Sequence, residues 1–129
     1  MSKFKERILF MALGGVLTLG ILALVVWLKV RTPIQEAKTR AMLFQYSISS
    51  SNYFTMYGRW PQSIRDFVTN PSNVVFIAPA PPTHDAWSRP ILYEPFDPAR
   101  GYGRVVSFGR DGKPGGEGAN ADVEYRFGP

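Results

Sequence analysis

From Ile8 to Leu28 the chain reads ILFMALGGVLTLGILALVVWL, 21 residues without one ionisable side chain. A helix of that length rises roughly 30 Å, the thickness of a bilayer's hydrocarbon core. The run is apolar on every face, as a spanning helix must be and a surface helix of a globular domain is not. Gly14, Gly15 and Gly20 weaken a helix in water but are ordinary in membrane helices, and Trp27 lies at one end, where an indole favours the headgroup layer. Lys29, Val30 and Arg31 follow the run in place of a small-residue cleavage site. The pattern predicts a retained single-pass anchor over residues 8–28, preceded by a basic tail at 1–7.

Beyond Arg31 the pattern turns amphipathic. Thr32 can cap a helix and Pro33 is tolerated in a first turn. Ile34, Ala37, Ala41, Phe44 and Ile48 then recur at alternating steps of three and four, one narrow apolar stripe. This predicts a helix from about Thr32 to Tyr57, continuous with the anchor or kinked at Pro33, and stopped by Gly58. The stripe is the face expected to pack on the rest of the domain. Ser47, Ser49, Ser50 and Ser51 are expected on the solvated face, and Tyr53, Tyr57 and Trp60 where the helix meets a sheet.

The segment WPQSIRDF, Trp60 to Phe67, fits a turn and one short helix with Ser63 as its cap. Prolines at 71, 79, 81, 82 and 90 exclude long helices and central strands, which predicts a loop along the surface. Short strands are expected at Ile91–Glu94 and Arg104–Phe108, joined through ARGYG, with a last strand at Asp122–Phe127. The fold class is α+β: a long N-terminal helix, half in the membrane, then a small antiparallel sheet. The extracytoplasmic domain spans 29–129, with its helix at about 32–57 and its sheet and loop at about 91–127.

Charge changes the picture little. The net charge of +5 falls entirely on residues 1–40, with seven basic and two acidic side chains; residues 41–129 carry eight of each. A basic excess flanking a membrane helix suits anionic lipid headgroups, so nucleic-acid binding is not expected. Cysteine is absent, so there is neither a disulfide nor thiol chemistry. His84 beside Asp85 is a pair that base catalysis can use, but no nucleophile stands near it in any readable motif. No enzyme activity and no small-molecule substrate are expected; Asp85 reads as a turn former and Trp87 as a core residue.

The candidate chemistry lies in FGRDGKPGGEGANADVE, residues 108–124, which holds Asp111, Glu117, Asp122 and Glu124 among five glycines. Oxygen donors on a permissive backbone suit a hard cation such as Ca²⁺, which takes six to eight oxygen ligands. Asp111 and Asp122 can clamp such an ion from the two ends, with Asn120 and backbone carbonyls completing the shell. The same composition also describes a long solvated hairpin loop.

SFGRDGKPGGEGANADVEY resembles the C-terminal loop of the major pseudopilins of type II secretion systems, which reads S-L-G-A-D-G-x-P-G-G-E-G-x-N-A-D-I. DAWSRPILYEP, Asp85 to Pro95, resembles that family's D-P-W-G-x-P-Y-x-Y segment, and MYGRWPQSIRDF its Y-x-x-D-x-x-R-Y-P-T helix end. The resemblance covers residues 34–127 and implies a pilin-like fold and a structural calcium ion, with Asp111 as carboxylate ligand, Phe108 as carbonyl donor, and Asn120 and Asp122 in the second half of the ligand loop. It implies a structural subunit of a type II secretion or type IV pilus-like envelope assembly. The expected partners are copies of itself, other pseudopilins and the secretion platform. The expected location is the inner (cytoplasmic) membrane, single-pass, with the C-terminal domain in the periplasm or outside. The N-terminal segment MSKFKERILF departs from the family in having no Gly-Phe peptidase site before the apolar run. That departure keeps an alternative open, a non-polymerising anchored binding module with a pilin-like fold.

Overall fold

The computed structural model of the chain describes residues 3–78 and 80–129. Met1 and Ser2, at the head of the basic tail, and Pro79 of the proline-rich stretch lie outside the described residues. One helix, α1, runs Lys3–Tyr57 with Pro33 inside it, so the anchor and the domain helix are one element. The chain divides into two compact units between Ile34 and Gln35. In the first unit every large apolar side chain from Ile8 to Leu28 is exposed, and α1 is long and apolar enough to cross a membrane. So much bare hydrocarbon is stable in lipid and not in water. At the end of this stretch the Arg31 guanidinium stacks 4.6 Å above the Trp27 ring.

In the second unit α1 is followed by a 3₁₀ turn at Ile64–Phe67 and three strands, β1 Leu92–Asp97, β2 Tyr102–Ser107 and β3 Val123–Phe127. The strands form an antiparallel meander in the order β1-β2-β3. β1 continues past the expected end at Glu94 because Pro95, which has no N–H to donate, sits on an edge strand at a register break between Glu94 and Asp97. Tyr93, Val105 and Tyr125 lie side by side across the sheet. They pack with Leu43, Tyr46, Phe67, Ile77 and Val123 in the core.

The face of α1 that meets this core is not the expected one. Thr39, Leu43, Tyr46, Ser49, Ser50 and Tyr53 are buried, whereas Ile34, Phe44 and Ile48 are 48%, 52% and 40% exposed and Ala37 and Ala41 are exposed with them. The series 39, 43, 46, 50, 53 is two residues out of step with 37, 41, 44, 48, which places it about 200° away round a helix of 3.6 residues per turn. Polar side chains win that face because each has a bonding partner. Tyr46 donates its hydroxyl to the Pro82 carbonyl at 2.6 Å, Ser49 to the Phe76 carbonyl at 3.1 Å, and Thr39 Oγ1 accepts the Ala86 N–H at 3.2 Å. Ser50 returns its hydroxyl to the Tyr46 carbonyl one turn back. The loop between the 3₁₀ turn and β1 is therefore stitched to the helix, and it delivers buried Ile77 and Asp85.

Aromatic packing closes the end of the domain. Trp60 stacks between Phe54 at 4.4 Å and Phe96 at 5.3 Å. Gly103 lies opposite Phe127, where any Cβ would collide with the ring. The 3₁₀ turn is not capped by the Ser63 side chain; the Asp66 carboxylate instead accepts the Gln62 N–H at 2.7 Å.

Candidate cation loop

The segment from Phe108 to Asp122 connects β2 to β3 and is held in shape by its own backbone. Its two arms are joined where the Arg110 N–H donates to the Ala119 carbonyl at 2.8 Å. A 3₁₀ turn at Gly118–Asn120 forms the second arm. Gly109 and Gly116 hold positive φ angles of 67° and 92°. A Cβ at either would lie 2.7 Å or 2.6 Å from the Asn120 carbonyl oxygen, so both glycines are fixed by close approach as well as by conformation.

The four predicted residues occupy different places in this frame. Asp111 is in the first arm, where its Oδ1 accepts the Lys113 N–H at 3.1 Å. Asp122 is at the end of the second, where its Oδ2 accepts the Gly115 N–H at 2.9 Å. Asn120 lies between them, and its side-chain Oδ1 is buried without a hydrogen-bond partner among the described residues. Phe108 is half-buried and lines a shallow cleft with Arg89, Pro90, Ile91, Leu92 and Gly112. Among the described residues no three acidic or histidine side chains converge. A cation here would therefore draw on carbonyl and amide oxygens as much as on carboxylates. The orphaned Asn120 oxygen is the feature that fits one, since a buried acceptor left unpaired costs about 1–3 kcal/mol and a hard cation satisfies it.

A second constellation, at the root of the loop, went unread in the sequence. Asp85 and Ser107 are 6% and 0% exposed. The Ser107 hydroxyl donates to Asp85 Oδ2 at 2.6 Å, while Asp85 Oδ1 accepts the N–H groups of Trp87 and Arg89, both at 2.9 Å. Asp85 is thus a turn former, as expected, but a buried one, and its oxygens are engaged away from His84, whose Nδ1 lies 2.9 Å from Thr83 Oγ1. Trp87 is half-buried rather than in the core. With Thr39, Ser107 and Gly109 it lines a cavity of about 10 Å³ between α1 and the loop.

The open face of the sheet carries an ion ladder. Glu94 is bonded by Arg100 at 2.6 Å and Arg104 at 2.7 Å, and Arg104 reaches on to Glu124 at 3.0 Å, which also holds Arg126. The Arg104 hydrogen bond is the largest influence holding the Glu94 carboxyl down to about 2. Glu124 is also lowered, first by Arg126. Arg100 and Arg126 both lie over the Tyr102 ring, at 4.8 Å and 4.2 Å.

Residues 32–126 match the family described as type II secretion system (T2SS), protein G. No curated protein matches the chain.

Proposed function

Because the chain belongs to the protein G family of the type II secretion system, the major pseudopilins, we propose that it is a pseudopilin-like structural subunit that assembles with copies of itself and with other pseudopilins. It is stored in the cytoplasmic membrane through residues 8–28, with the domain on the periplasmic side. The observation that carries this reading is the uncovered stripe of Ala37, Ala41, Phe44 and Ile48. A domain that buries serines and leaves these side chains at least partly exposed on the other face, with the Phe44 ring tilted against the Tyr125 ring at 5.7 Å, has an apolar surface to give to a neighbouring subunit. Ala41→Asp tests it in the full chain in membranes and in detergent. Sedimentation of the wild type as large particles and of the variant as monomers is the expected result; equal monomeric behaviour would favour the tethered, non-polymerising module.

We infer further that a calcium ion staples the C-terminal loop. Asn120 Oδ1, the Asp111 and Asp122 carboxylates and the Phe108 carbonyl are the oxygens assigned to it. The chain has no cysteine and a small core, and in such domains a bound ion supplies stability that packing alone does not. At a hundredfold excess over its Kd the ion would add about 2.7 kcal/mol, on the order of 10 °C in Tm for a domain of this size. Melting curves in calcium and in chelator should separate by that amount, and Asp111→Ala should bring them together. Coincident wild-type curves would remove the ion from the account.

A further inference from the structure

The loop is gripped at its root from outside itself. Ser107 is the last residue of β2, and its hydroxyl has two roles at once. It donates to Asp85 Oδ2 at 2.6 Å and accepts the Gly109 N–H at 3.3 Å. The first bond is short and buried. Asp85 in turn organises residues 85–89 through the Trp87 and Arg89 amides. Arg89 then returns to the loop, its Nε donating to the Arg110 carbonyl at 3.1 Å. On its other side the turn is fixed to α1, because the Ala86 N–H donates to Thr39 Oγ1.

Two successive residues of the first arm, Gly109 and Arg110, are therefore both placed by the Asp85 turn. These same residues fix the second arm: Arg110 N–H bonds the Ala119 carbonyl, and Gly109 lies so close to the Asn120 carbonyl that no side chain fits between. Asn120 is the residue with the unpartnered buried oxygen. A buried acid is costly unless it is fully bonded, and here each of its bonds runs into the loop or into the turn that holds the loop.

We propose that Asp85 is a positioning residue for the cation loop. Through Ser107 and the turn 85–89 it sets the first arm, and with it the Asn120 amide oxygen, in the shape that takes calcium. This rests on the calcium reading given above. Asp85 does not touch the ion; it acts on the ligands, and outer partners of that kind govern affinity by about 10–100-fold.

The test uses the full chain in detergent micelles, with calcium titrated by calorimetry and backbone amide exchange followed in chelator. Ser107→Ala removes the hydroxyl and leaves the Asp85 turn its two amide bonds. Its calcium Kd should rise at least tenfold. In chelator the amides of residues 109–122 should exchange faster, with those of residues 43–57 in α1 unchanged. Asp85→Asn, which keeps the side-chain shape, should act in the same direction and decides the matter if Ser107→Ala does not fold. Wild-type affinity in the folded variant, or unchanged loop exchange, overturns the proposal. If the wild type takes up no calcium while the variant's loop exchange still rises, the calcium reading falls and the positioning role stands.

Discussion

Glu94 sits between two guanidinium groups on the open face of the sheet, and its protonation is the residue-scale event most easily read. Its carboxyl is lowered from 4.5 to about 2, chiefly by the hydrogen bond from Arg104. A depressed carboxyl binds fewer protons in the folded chain than in the unfolded one. Its contribution is therefore complete above pH 4.5 and drains away as the pH falls toward about 2. The side chain is 27% exposed, so solvent and salt screen the effect. Denaturation midpoints between those limits should fall more steeply for the wild type than for Glu94→Gln, with the gap narrowing in high salt. Parallel losses would show that the ladder adds nothing. Tyr46 and Tyr93 belong to the same scale: burial pushes both phenols up, and both hydroxyls are spent on proline carbonyls, those of Pro82 and Pro61.

Among the elements, α1 shows what periodicity does and does not reveal. Its existence and its long apolar first half were legible because 21 consecutive residues carry no charge and the amphipathic pattern follows without a break. The orientation of its second half was not. A hydrophobic count selects Ile34, Phe44 and Ile48, but the face that folds inward is rich in hydroxyls, and its partners are backbone carbonyls and an amide N–H 27 to 47 residues away in sequence. The strands were placed within three residues because β-branched and aromatic residues alternate between turn signals, and the one long overrun, to Asp97, passes through a proline that only an edge strand admits. Of the loop, the glycine and carboxylate composition was readable. The grip by Asp85 and Ser107 was not, since 22 residues separate them. The two faces of α1 make a direct contrast: Leu43→Ala, at a fully buried position, should cost about 2–5 kcal/mol in denaturant titrations. Ala41→Asp should cost within about 0.5 kcal/mol. Equal costs would mean that the exposed stripe is not free.

For the whole molecule, a single helix serves two solvents. Residues 8–28 are apolar all round, and the part of α1 in the second unit splits into a buried, bonded inner face and a largely exposed outer one. The chain belongs to the type II secretion protein G family, and in the function proposed above that exposed face is where another subunit would make contact. The chain contains no cysteine, so a single introduced thiol reports on its own position alone. Oxidative cross-linking of Ala41→Cys and Ser50→Cys chains in native membranes therefore probes whether the exposed face of α1 meets another subunit. Covalent dimers are expected from position 41 and none from buried position 50; no dimers from either, with the protein folded and the position 41 thiol reactive, would mean that this face is not a subunit contact.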